Sequence, residues 1–153
     1  MKKLYLFNPE NDMALASGSP YYMAPASAKK MANDLAMLPA WYADAGSEIL
    51  VGDSRQVDWL REGCRLSLPV TGVLSVSEEY EEIIPWGWSP ALKHRLGMDT
   101  VRGVDVETLR GLSSRMTAVN LLPKLRIEGT IGESSWLTSL ENVSAFSLKH
   151  GRV

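Results

Sequence analysis

The sequence predicts one α/β domain across residues 1–153, a small parallel sheet with helices on both faces. Three observations lead there. Strand-like apolar runs alternate with helix signatures from Leu4 through Gly63, in the order strand, helix, strand, helix. That alternation argues for parallel strands joined by crossover helices. The first burst, Leu4-Tyr5-Leu6-Phe7, ends abruptly in Asn8-Pro9-Glu10-Asn11-Asp12, as a strand does when it delivers a polar loop to the carboxyl edge where such folds bind ligands. With 153 residues, 45% of them hydrophobic and 22% charged, the chain is long enough for one domain with a real core and short for two.

Residues 3–7 read as a short buried strand. Residues 8–24 form a long connection, a length often reserved for function, in which Asp12 to Ala16 can make a helical turn. Ser27 is positioned as N-cap of the next helix. Met31, Leu35, Leu38 and Tyr42 follow at spacings that predict one apolar stripe, with Pro39 kinking or restarting the helix and Gly46 suited to a left-handed stop. Residues 48–52 make the second strand. Asp53 or Ser54 caps a short helix ending near Gly63. Leu66 and Leu68 alternate in a third β-like region that Pro69 and Gly72 break into edge pieces. The acidic run from Ser77 to Glu82 reads as a solvated helical turn. Ser89 as N-cap, Pro90 at the first helical position and Gly97 past the end define a small helix over 90–96, with Leu92 and Leu96 inward. Asp105 caps a further helix that Gly111 interrupts. Ser113 or Ser114 starts another that Pro123 stops. Gly129 and Gly132 flank a turn. Thr138-x-x-Glu141 predicts a capping box for a last helix, with Gly151 as its stop. The chain ends where an α/β protein would begin another strand, so it reads as the first part of something larger.

Net charge is −2 and the basic residues are dispersed, which gives a nucleic-acid partner no electrostatic basis. One cysteine, Cys64, excludes an intramolecular disulfide and a Cys-cluster metal site. The basic start is followed by only four apolar residues, too few for a signal peptide, and no window approaches a membrane span. The expectation is a cytoplasmic protein with no membrane partner.

Two segments carry candidate chemistry. Asn8-Pro9-Glu10-Asn11-Asp12 offers two amides and two carboxylates within five residues, a set suited to hydrogen-bonding a polar ligand or to a hard cation. No histidine is near and no EF-hand pattern is present, so a metal is the weaker choice. The plain alternative is a turn whose Asn and Asp side chains satisfy their own backbone. Trp86-Gly87-Trp88, set between prolines, makes a stiff apolar shelf with N–H donors. Its alternative is simple packing over the sheet edge. His94 and His150 read as surface or core histidines, and Cys64 as a small core residue. No G-x-x-x-x-G-K-[ST], G-x-G-x-x-G or G-x-S-x-G motif occurs. No residue is therefore assigned as catalytic and none as a metal ligand.

Several stretches together resemble a known group. They are Phe7-Asn8-Pro9-Glu10-Asn11-Asp12-Met13-Ala14-Leu15-Ala16, Pro25-Ala26-Ser27-Ala28, Asp34-Leu35-Ala36-Met37-Leu38-Pro39, Pro85-Trp86-Gly87-Trp88-Ser89-Pro90 and Ser114-Arg115-x-Thr117-Ala118. The chain resembles, over nearly its whole length, the N-terminal part of uncharacterised ATP-grasp-like proteins of Bacteroidetes-type bacteria. The resemblance implies a Rossmann-like pre-ATP-grasp domain, followed in the full-length family by an ATP-grasp part that binds ATP and Mg²⁺. It implies a substrate-binding domain of an ATP-dependent carboxylate–amine ligase-type protein, not catalytic alone and with no cofactor of its own. In that reading Asn8, Glu10, Asn11 and Asp12 bind polar groups of a small-molecule substrate. Trp86 and Trp88 wall the cleft, and the helix start at Ser89-Pro90, with Arg95 or Arg115, holds an anionic group. The alternative is a non-enzymatic interaction domain in which Trp86-Gly87-Trp88 forms a homodimer or partner surface.

Overall fold

A computed structural model describes residues 2–63, 68–77, 80–97, 105–125, 135 and 137–150. Cys64, the 65–67 stretch, Glu78, Glu79, the Gly129–Gly132 turn and Gly151 lie outside the described residues. Two compact units are present, Met1–Glu107 and Thr108–Val153.

The first unit holds the sheet. Its four strands are β1 (Lys3–Leu6), β2 (Glu48–Leu50), β3 (Thr71–Val73) and β4 (Glu82–Pro85). They run parallel in the order β3-β2-β1-β4, an α/β fold of Rossmann-like topology flanked by helices, as the alternation predicts. The chain steps outward from β1 to β2 and β3, then returns to the far side of β1 for β4. The strand order therefore reverses between β1 and β4, which is where open α/β sheets place their ligand crevice.

Alternation along the strands sends Tyr5, Ile49 and Ile84 to one face. There they join Ala36, Ala40, Val51, Leu60 and Val70 in one apolar cluster. Leu4 and Leu6 alternate to the other face and are buried as well. Burying a side chain such as Leu4 or Ile49 contributes about 1.5–3 kcal/mol. Gly72 lies at the centre of β3 because a Cβ there would stand 3.1 Å from a Leu60 methyl and 3.2 Å from the Val57 Cα. The breaker that argues against a strand is thus what lets α3 (Ser54–Asp58) and the π-helical turn Trp59–Gly63 approach the sheet. Asp53 caps α3 as expected, accepting from the Gln56 amide at 3.1 Å.

Other elements shift from expectation. The connection after β1 contains α1 (Asn11–Ser17), a little longer than the predicted turn. Helix α2 runs from Ala26 to Asp34 with Pro25, not Ser27, at its N-cap and no side-chain cap. A 3-10 turn, Leu38–Trp41, takes over at Pro39. Because the helix ends early, the spacing of Met31, Leu35, Leu38 and Tyr42 no longer describes one face, and Met31, Leu35 and Tyr42 are exposed. The small residues Ala36 and Ala40 enter the core instead. Glu82, expected in a helical turn, opens β4. Helix α4 (Pro90–Arg95) matches its signature. The Ser89 hydroxyl accepts from the Leu92 amide at 3.3 Å, and Gly97 follows at φ 64°.

Helix α5 (Val106–Ser113) begins in the first unit and continues through Gly111 without interruption. The second unit adds α6 (Arg115–Leu121), a 3-10 turn over Leu122–Leu125, and α7 (Leu140–His150). The α7 cap is Ser139 rather than Thr138. Its hydroxyl accepts from the Asn142 amide at 3.2 Å, so the helix starts one residue later than a Thr138 capping box requires.

Lys3 ties the sheet to its surroundings. Its ammonium lies 2.7 Å from Asp44 and 3.4 Å from Glu82, the residue directly opposite it on β4. The hydrogen bond from Lys3 holds the Asp44 carboxyl below its usual range, with the Tyr5 hydroxyl adding to the effect. Asp44 in turn raises Lys3, joined by Glu82. A depressed carboxyl contributes stability that is present above its unfolded pKa and lost as pH falls through the folded value. Lys3→Met should therefore flatten the acid limb of a stability profile taken by urea denaturation from about pH 3 to 7. A limb as steep as that of the parent would show that this pair does not set it.

Candidate functional site

Register brings the two candidate loops together. Leu6 pairs with Pro85, and the Trp86 amide continues the ladder onto the Leu6 carbonyl at 2.9 Å. Both chains thus leave the sheet side by side at its carboxyl edge. Asn8 then substitutes for one more strand step. Its amide donates to the Gly87 carbonyl at 2.8 Å, and its oxygen accepts from the Gly87 amide at 3.3 Å. Asn11, the first residue of α1, faces the same loop, and in the amide orientation that satisfies both of its polar atoms the NH₂ donates to the Gly87 carbonyl at 2.8 Å and the Trp88 carbonyl at 3.2 Å. Asn8 is 2% exposed and Asn11 8%. A Cβ at Gly87 would overlap the Asn11 amide. Both asparagines lie at the strand-order reversal, and their side chains fasten one loop to the other.

The remaining predicted residues divide. Ser89 is buried, its hydroxyl committed to the α4 cap. Trp86 is 58% exposed. Its ring meets Phe7 edge-on at 5.4 Å and lies tilted 6.5 Å from Tyr42. Trp88 is half-buried, and Asp12 is exposed in the first turn of α1. Arg115 opens α6 in the second unit.

Glu10 and Arg95 come together at a cavity of about 360 Å³. Its walls are Glu10 and Ala14, the loop Pro20–Met23, and Ser89, Ala91, Leu92, His94 and Arg95 of the α4 segment. The Glu10 side chain is only 15% exposed. Its Oε1 lies 3.9 Å from the Arg95 guanidinium, which is 60% exposed. Its Oε2 is buried with no hydrogen-bond partner among the described residues. His94 meets the Tyr21 ring edge-on at 4.9 Å. Tyr21, Tyr22 and His94 are absent from the sequence-predicted set. The length of the 8–24 connection is the one signal that points toward the tyrosines, since nothing local ties them to His94.

The arrangement offers charge, aromatic surface and hydrogen bonding on one concave wall, the usual makeup of a small-molecule site. Among the described residues no group of three or more His, Cys, Asp or Glu side chains is placed to hold a metal ion, and no helix is long and apolar enough to cross a membrane. The fold and the site define an α/β domain with a cavity beside its strand-order reversal. Comparisons with protein-family models, with curated proteins and with solved structures return no match to this chain.

Proposed function

We propose that the α/β unit is the substrate-binding part of an ATP-dependent carboxylate–amine ligase-type protein and is not catalytic alone. The observation that carries this reading is the cavity beside the β1–β4 edge, where a mostly buried carboxylate and a guanidinium face the same space. Glu10 and Arg95 contact the ligand and Asn8 and Asn11 hold the loops in register, while Trp86 and Trp88 are not among the residues that line this cavity. In this reading the described residues hold neither ATP nor Mg²⁺. The asparagine amides are bound to Gly87 and Trp88, and among the described residues no group of three or more His, Cys, Asp or Glu side chains is placed to hold a metal ion. Nucleotide chemistry in this reading belongs to an ATP-grasp part, as the family resemblance implies.

A fragment screen followed by amide chemical shifts tests the site. Small polar organic molecules are expected to shift Ala14, Tyr21, Leu92 and His94. A screen in which no fragment moves these amides would remove the cavity from function. The exposed Trp86, with Tyr42 beside it, favours a second reading as a homodimer or partner surface. In that case Trp86→Ala would reduce the oligomer seen by sizing and leave fragment binding unchanged.

A further inference from the structure

The Glu10 carboxylate is most of the way into the protein, yet its hydrogen bonding is incomplete. Its Oε2 has no partner among the described residues. Its nearest cation, Arg95, stands at 3.9 Å, beyond the roughly 2.7–2.9 Å of a charge-assisted hydrogen bond. Leaving that acceptor unpaired costs stability, and the part of the Glu10 side chain that stays exposed lines the cavity, where a ligand's donor can approach the carboxylate. Arg95 is in the complementary state. Glu10 is its one ion-pair partner among the described residues, and Arg95 also lines the cavity. A ligand bearing only a cation would satisfy Glu10 and set its charge against Arg95. A ligand bearing only an anion would satisfy Arg95 and set its charge against Glu10. Only a molecule carrying both charges close together satisfies both residues.

Size and lining narrow the class. At about 360 Å³ the cavity is near the lower end of the roughly 300–1,000 Å³ typical of ligand sites. Beyond the two charges its wall includes Tyr21, Tyr22, Met23 and Leu92, with His94 beside Tyr21, and these side chains suit an apolar or aromatic substituent. We propose that the cavity binds a small zwitterion of the α-amino acid type, with its ammonium group on Glu10 and its carboxylate on Arg95. This rests on reading the cavity as a small-molecule site and names the chemistry that site selects.

The test uses the full chain and ligand-observed saturation-transfer NMR. The common α-amino acids are presented one at a time, and the best binder is compared with its decarboxylated amine and its deaminated acid. The expected result is binding by at least one amino acid, with each truncated analogue weaker by about tenfold or more. Glu10→Gln should abolish the preference over the deaminated acid, and Arg95→Met the preference over the amine, in variants whose circular dichroism matches the parent. Truncated analogues that bind as well as the amino acid would overturn the proposal. So would binding by no amino acid while other fragments shift the cavity amides, a result that leaves the small-molecule reading standing. If nothing shifts those amides, both the proposal and the reading fall.

Discussion

Gly87→Ala is expected to lower unfolding stability by about 2 kcal/mol, in the range of an overpacked core. The added Cβ would overlap the Asn11 amide, so it cannot be accommodated without moving a side chain that is itself buried and bonded. Asn11 would lose its hold on the Gly87 and Trp88 carbonyls, and the shelf carrying Trp86 would shift with it. Urea unfolding monitored by tryptophan fluorescence measures the cost. A double-mutant cycle isolates the cause. In an Asn11→Ala background the obstacle is gone, so the same glycine substitution should cost less by about 0.5 kcal/mol or more. An equal cost in both backgrounds would show that the strain lies in the Gly87 backbone and not in contact with Asn11.

Asn8→Ala is expected to cost about 2 kcal/mol, because the Gly87 amide loses its partner at the sheet edge and the Gly87 carbonyl loses one of its two donors. Asn8→Asp should be worse than alanine at neutral pH. One carboxylate oxygen can still accept from the Gly87 amide, but the other then faces the Gly87 carbonyl where the native NH₂ donates. Protonation replaces that repulsion with an O–H donor. The folded state thus raises the pKa of the introduced carboxyl above its unfolded value of about 3.9. The recovered stability is fully present below that value and is lost as pH rises through the folded pKa. Urea midpoints for the alanine and aspartate variants should therefore cross as pH is lowered. Parallel profiles would rule out the Gly87 carbonyl as the partner of this side chain.

What the sequence reveals depends on how local the deciding interactions are. Helix α4 is legible because Ser89, Pro90 and Gly97 each act within a turn of the helix. The cap at Asp53 is legible for the same reason. Strand β4 is not, because Ile83-Ile84 is too short to show a period and earns its place only by pairing with β1. The Met31–Tyr42 stripe misleads because periodicity says nothing about where a helix stops. At the site, the polar loop after β1 is visible as a cluster and its place at the carboxyl edge follows from the fold class. Its partner is invisible, since Asn8 and Gly87 are 79 residues apart. The same two amides read equally well as ligand donors or as structural bonds until that partner is known. Glu10 looks like its neighbours in sequence and differs in carrying one buried oxygen without a partner among the described residues.

That 79-residue span also fixes an order of events during folding. β1 is an interior strand whose second neighbour, β4, comes late in the unit. Contacts of such separation require a large loop to close before they return any energy, and they slow folding accordingly. On the ribosome, the first strand must wait with one edge unpaired until Gly87 has emerged and Asn8 can grip it. The cavity, made from residues on either side of that closure, comes into existence only at the end.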